Sequence, residues 1–254
     1  QMLDRKQLAE ITREGPEPLF ATISGAHLYG FASADSDVDL RGVFMLSARE
    51  MLGLEAPKET ISIEDKSVID LDWVAHDVRK FARLMTHHNG YVLEQLYSPL
   101  VVISTPAHEE LMELGKGCIT RPTCKHYLGF ARGRVKRLSE PNPTVKHLLY
   151  AYRVLLTGTH LMRTGEVESN LISLNMEAGV PEIDRLILRK QEGTETMKLD
   201  ASELEAHVLL LGRLEESLRA AQDASRLPDE PTTVAALEDF IVRIRLEASH
   251  VSNR

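Results

Sequence analysis

The sequence predicts an α+β protein: a mixed sheet with flanking helices over residues 1–105, followed by an all-helical part over residues 106–254. Two observations carry this. Short runs of β-branched and aromatic residues bounded by Gly, Pro, Asp and Ser all fall before residue 105, while from Ala107 onward the apolar residues recur at helical spacing. The strands and helices are also segregated rather than alternating, which disfavours a dinucleotide-binding fold.

Residues 4–14 are expected to be a helix, with Leu8 and Ile11 facing a core and Gly15-Pro16 ending it. Pro18-Leu19-Phe20-Ala21-Thr22-Ile23 suits a strand, and so does the stretch from Val38 to Met45, which follows a turn-rich segment over residues 32–36. A hairpin is expected from Thr60-Ile61-Ser62-Ile63 and residues 67–74 around Glu64-Asp65-Lys66, with alternation placing Asp70 and Asp72 on one face. Val78, Phe81, Ala82, Leu84 and Met85 then predict a helix to about His88, which Asn89-Gly90 stops. Thr105-Pro106 starts the helical part. Its helices are expected at residues 122–139, 144–163, 181–191, 200–224 and 232–249.

Apolar residues make up 43% and charged residues 27% of the 254, a globular composition that excludes a disordered chain. No stretch approaches the roughly 20 apolar residues of a membrane span, and Gln1-Met2 is followed by charged residues rather than the apolar run of a signal peptide. Cys118 and Cys124 lack metal-like spacing and are read as reduced thiols, so a cytoplasmic location is expected. The net charge of -8 is uneven. Residues 1–114 carry 10 Lys and Arg against 19 Asp and Glu, residues 115–165 carry 10 against 1, and residues 166–254 carry 10 against 18. A central basic block between acidic flanks suits either a helical pair facing a polyanion or a solvated basic face.

The chemistry concentrates in Ser24-Gly25-Ala26-His27-Leu28-Tyr29-Gly30 followed by Ser36-Asp37-Val38-Asp39. Two aspartates separated by one strand residue point the same way, about 6 to 7 Å apart. Such a pair can share hard divalent ions, which prefer oxygen ligands and keep substrate phosphate oxygens in their shell. A third carboxylate on a neighbouring strand would complete the set. Gly25 and Gly30 allow backbone amides to approach a triphosphate, and Ser24 and Ser33 add hydroxyl donors. Asp-x-Asp alone is weak, because such pairs also occur in solvated turns.

Ser24-Gly25-Ala26-His27-Leu28-Tyr29-Gly30-Phe31 with Ser36-Asp37-Val38-Asp39-Leu40-Arg41-Gly42-Val43-Phe44 resembles the signature of the DNA polymerase β nucleotidyltransferase superfamily. It is most similar to the branch found beside RNA-repair enzymes, with a Tyr-Gly after the glycine turn and an Arg-Gly after the aspartates. Asp72-Trp73-Val74-Ala75-His76-Asp77, Val92-Leu93-Glu94-Gln95-Leu96, Tyr127-Leu128-Gly129-Phe130-Ala131 and Lys146-His147-Leu148-Leu149-Tyr150-Ala151-Tyr152-Arg153 resemble later family segments. Together they cover residues 20–160 with gaps.

The resemblance implies an N-terminal polymerase β-type catalytic domain that moves a nucleoside monophosphate from an NTP to a hydroxyl, releasing pyrophosphate. It implies two Mg²⁺ or Mn²⁺ ions held by Asp37, Asp39 and Asp72, with Asp70 as the second choice for the third carboxylate. Nucleotide binding is carried onto Ser24, Gly25, His27, Tyr29 and Ser36, and onto Lys146, Tyr150 and Arg153, which share one helix face. On spacing alone that face better suits a solvated stripe with Tyr150 as a partial core residue, and the resemblance is what favours binding. One departure bears on activity: Ala26 stands where the family has a serine that contacts the terminal phosphates, so that either Ser24 or His27 compensates or triphosphate binding is weakened. His87 and His88 diverge by about 100° on a helix and cannot readily share an ion, so both are read as helix-end residues. His76 is read as a capping or packing residue rather than a catalytic base. The basic block over residues 116–163 favours an RNA acceptor. A protein or small-molecule acceptor is the alternative, and an NTP-binding partner subunit without catalysis, suggested by Ala26, is the third.

Overall fold

A computed structural model describes residues 5–13, 15–65, 70–141, 143–193 and 199–251. In chain order its elements are α1 (Arg5–Thr12), β1 (Pro18–Ile23), α2 (Gly25–Tyr29), β2 (Val38–Phe44), α3 (Ala48–Leu52), β3 (Thr60–Asp65), β4 (Leu71–Asp77), α4 (Val78–Thr86), α5 (Gly90–Leu96) and β5 (Val101–Ser104). Helices α6 (Pro106–Lys116), α7 (Cys124–Leu138), α8 (Val145–Thr164), α9 (Leu171–Ala178), α10 (Pro181–Glu192), α11 (Ala201–Ala224) and α12 (Val234–Val251) follow. The protein is α+β, with the sheet in the N-terminal half and helices in the rest. Two units emerge: residues 1–24, 37–118 and 231–254 form the first, and residues 25–36 and 119–230 the second.

The first unit is built on a five-stranded sheet of order β3-β4-β2-β1-β5. Strands β2 and β4 run parallel, and the other neighbours are antiparallel. Alternation decides the faces. Val38, Leu40, Leu71, Trp73 and Ala75 are buried in the core, whereas Asp39, Arg41, Asp72, Val74 and His76 lie on the more open side. Gly42 permits the close packing, since a Cβ there would overlap the Phe20 carbonyl and the Trp73 ring. Helix α12 packs against α3, α4 and α6, so the C-terminal helix belongs to the sheet unit.

The second unit centres on α8, whose buried face runs from Val145 to Met162 and packs on α7, α9, α10 and α11. Gly165, at φ 76°, ends it in the left-handed conformation. The segment 25–36 folds with these helices.

Strand β1 has the expected bounds, and β2 ends one residue earlier than expected. The hairpin pairs Thr60 with His76 through Asp65 with Leu71. Its second arm therefore extends to Asp77 rather than ending at Val74, while Lys66 and residues 67–69 lie outside the described residues, as do residues 4 and 14 of the first expected helix. Asn89-Gly90, expected only to stop a helix, also starts one: the Asn89 side chain accepts from the Tyr91 amide and caps α5.

Candidate active site

The parallel register sets Asp39 of β2 directly beside Asp72 of β4. Both side chains leave the open face of the sheet, so two carboxylates face one another across adjacent strands. Arg41, two residues beyond Asp39, lies on that same face. Its Nη2 donates to Asp39 Oδ1 at 2.6 Å and to Asp72 Oδ2 at 2.8 Å. Nη1 donates to the Leu40 and Asp72 carbonyls at 2.7 and 2.8 Å, and Nε donates to Tyr91 Oη at 3.3 Å. All five guanidinium donors are thereby engaged. Burial opposes the charge on Arg41, but Tyr91, Asp39 and Asp72 outweigh it and hold its pKa above the ordinary arginine value.

Asp37 precedes β2 and is half-buried. Among the described residues no cluster of three or more His, Cys, Asp or Glu side chains is gathered to hold a metal ion. The pair Asp39–Asp72 nevertheless suits a hard divalent cation in its chemistry, being two carboxylates on one face with a cationic group already bridging them. Asp70, the second choice for a third carboxylate, is exposed just before β4, where its carbonyl accepts from the Val38 amide at 2.8 Å. Ser24 follows β1, its amide donating to the Asp39 carbonyl at 2.8 Å. Its hydroxyl is buried without a hydrogen-bond partner among the described residues. An unsatisfied buried donor is costly, and it suits a group that a ligand completes.

The sheet holds a second arginine–carboxylate pair at the other end of β4. Asp77 is fully buried, caps α4 by accepting from the Arg79 amide, accepts from the Leu46 amide, and takes two bonds from Arg245 of α12 at 2.6 and 2.8 Å. His76 precedes Asp77 on the open face of β4, its Nδ1 3.0 Å from Thr60 Oγ1. Burial, then Lys80 and Arg41, lower its pKa to about 4.

In the second unit, Gly25 opens α2 and is buried, His27 is half-buried on the same helix, and Tyr29 is buried at its end. Gly30 follows at φ 84°, where a Cβ would also meet the Asn170 side chain at 2.7 Å; the Tyr-Gly pair is a local steric requirement. The Arg153 guanidinium lies 4.0 Å from the Tyr29 ring centroid. Tyr150 meets Tyr29 and Phe31 edge-on, with centroids 5.6 and 5.4 Å away. Arg134 of α7 covers Tyr150 at 4.8 Å and Phe130 at 4.7 Å. Of the residues expected on one face of α8, Tyr150 and Arg153 thus meet the turn itself, whereas Lys146 is only half-buried. Ser36 accepts from the Ser33 amide at 3.0 Å, and Ser33 in turn accepts from the buried Lys190 of α10 at 2.8 Å.

Part of the basic block is neutralised within this unit, Arg121 by Asp229 and Arg132 by Glu215. Arg134, Lys136 and Arg137 make no ion pair among the described residues. Burial first, and then Arg137 and Arg153, lower the pKa of Arg134; burial and Arg153 do the same for His126, and burial with Arg134 and Arg137 for His147. Positive charge beside aromatic rings packed edge-on favours an anionic ligand with a π-face. Sequence reasoning notes Arg41 only within the Arg-Gly pair of the resemblance, without a role, and does not single out Arg134. A signal for Arg41 exists, as a charge in phase with Asp39 on a strand. For Arg134 nothing distinguishes one arginine among several on α7.

The sequence matches the RNA repair pathway DNA polymerase beta family, RlaP, over residues 3–243. It is 32% identical over 161 residues to an uncharacterised protein of Methanocaldococcus jannaschii, a match covering 61% of this chain and 65% of that protein. To the uncharacterised protein YcgL of Bacillus subtilis it is 25% identical over 219 residues, covering 82% of this chain and 83% of the other. The chain thus spans just under two thirds of the archaeal relative's length. The chain belongs to the RNA repair pathway DNA polymerase beta family. Among its described residues no helix is long and apolar enough to cross a membrane, and Cys118 and Cys124 are free and buried.

Proposed function

From that membership, we propose that the protein is a metal-dependent nucleotidyltransferase that moves a nucleoside monophosphate from an NTP to a hydroxyl, with RNA as acceptor. The observation that carries the reading is the pairing of Asp39 with Asp72 in register on parallel strands, bridged by a positive group. Two divalent ions, Mg²⁺ or Mn²⁺, would supply Lewis acidity at the α-phosphate and lower the pKa of the attacking hydroxyl. Asp37 and Asp39 would hold both ions, one on the triphosphate and one on the acceptor side, and Asp72 would bind the second and favour deprotonation of the attacking hydroxyl. The hydroxyl oxygen forms a bond to the α-phosphorus as the bond to the β-phosphate oxygen breaks, and pyrophosphate leaves.

The buried Ser24 hydroxyl gains a partner when phosphate binds, and Gly25, His27 and Ser36 supply the remaining turn contacts. Lys146 offsets triphosphate charge and Tyr150 provides aromatic surface for the base, while Arg153 and Tyr29, 2% and 1% exposed and packed on one another, support Tyr150 from within the unit. The family's place in RNA repair and the un-neutralised Arg134, Lys136 and Arg137 favour RNA over a protein or small-molecule acceptor. Incubation with each α-labelled NTP, Mg²⁺ or Mn²⁺, and RNA carrying 3′-hydroxyl, 3′-phosphate or 5′-phosphate ends tests this. Label on RNA supports the reading. Label on protein alone reassigns the acceptor, and NTP binding with no transfer to any acceptor refutes catalysis.

A further inference from the structure

Two carboxylates set side by side in register repel one another unless a cation lies between them. In this fold the cation is supplied by the chain. One nitrogen of Arg41 donates to both Asp39 and Asp72, and every other N–H of the guanidinium is taken by the Leu40 and Asp72 carbonyls and by Tyr91. The Arg41 side chain is only 11% exposed, so solvent screens its charge little. A divalent ion brought to the same carboxylate pair meets that fixed positive charge.

We infer that Arg41 is a positioning residue that holds the Asp39–Asp72 pair together in the ion-free protein and competes with a divalent cation for it. This rests on the nucleotidyltransferase reading of the pair. The arrangement has two consequences. The carboxylates keep their spacing before any ion arrives, and an ion without nucleotide is bound weakly because it must displace the guanidinium or share the pair with it. An ion carried by a triphosphate brings negative charge that offsets Arg41, so the loaded nucleotide is favoured over the bare metal.

Mn²⁺ binding to the full chain, followed by the loss of the free-ion EPR signal, tests the competition without relying on activity. Arg41→Gln is expected to bind bare Mn²⁺ about tenfold more tightly than the wild type. Its melting temperature is expected to fall in chelator and to recover more than the wild type's when Mn²⁺ is added. Arg41→Lys keeps a charge but not the planar fork, and is expected to lie between the two in affinity; it also serves should the Gln variant fail to fold. Unchanged or weaker Mn²⁺ binding in both variants, with binding still abolished by Asp39→Asn, overturns the role of Arg41 and leaves the ion site standing. Mn²⁺ binding that is insensitive to Asp39→Asn overturns the site and this inference together.

Discussion

Asp72 and Asp77 occupy the two ends of one strand, and each is bound to an arginine, yet they are bound in opposite ways. Asp77 is fully buried and saturated: two backbone amides and two contacts from Arg245 account for its oxygens. Asp72 is 34% exposed at its side chain, and among the described residues its carboxylate receives one hydrogen bond, from a guanidinium that it shares with Asp39. A saturated carboxylate ties elements together and has nothing left to offer a ligand. One held by a shared cation retains acceptor capacity on an accessible face, which is the condition for binding an ion or a reacting group.

The largest effect expected from this contrast is on transfer. Asp39→Asn should lower nucleotidyl transfer by roughly a thousandfold or more in single-turnover assays, because the charge that holds the ions is gone while the shape is kept. Its melting temperature should change little. The opposite pattern is expected at the other end of β4. Asp77→Ala should cost about 3 to 5 kcal/mol in chemical denaturation, since it strands the Arg245 charge and two backbone amides. If Asp72→Ala destabilises the fold as much as Asp77→Ala, the division between an ion-binding and a structural carboxylate fails.

A smaller effect lies between the two. The His76 pKa is lowered to about 4 by burial and by Lys80 and Arg41. Below a pH of about 6.5 the unfolded chain gains a proton that the folded one refuses, so stability contributed by neutral His76 is full above that pH and lost as the pH falls toward 4. His76→Gln should flatten that part of an acid denaturation profile; an unchanged slope would place the acid sensitivity elsewhere. The smallest expected change is at Ala26, which is 3% exposed in α2. Ala26→Ser should lower the apparent KM for NTP, by about two- to tenfold for one added donor. A KM that does not move means Ser24 or another group already fills that role.

How far the molecule is legible in its sequence follows from the range of the forces involved. Strands β1 and β2 show as short β-branched and apolar runs beside turn residues and β4 as period-2 alternation, all of them local signals, and the alternation is enough to put Asp72 on one face of its strand. The register of β2 with β4 is not local, because the two pair across α3 and β3. Strand β5 is four residues between Pro99 and Pro106, too short for a periodic signal. Helix α9 carries its own signs, Asn170 capping the start and Gly179 in the left-handed conformation at the end, but its eight residues give barely two turns over which a period could show. Arg245 meets Asp77 from 168 residues away, and nothing in either neighbourhood announces the other. The Tyr-Gly and Arg-Gly pairs are legible as a resemblance only. The structure supplies their cause in Asn170 beside Gly30 and in Phe20 and Trp73 beside Gly42.

Asp39 and Asp72 are thus proposed as the seat of a divalent ion, which Arg41 fills when no ion is bound. Anomalous diffraction from crystals grown with Mn²⁺ and a non-hydrolysable NTP analogue puts this to the sharpest trial. The expected result is a manganese peak bound by Asp39 and Asp72, with Arg41 Nη2 withdrawn from at least one of them. Bound nucleotide with manganese elsewhere, and the guanidinium still bridging both carboxylates, would refute it.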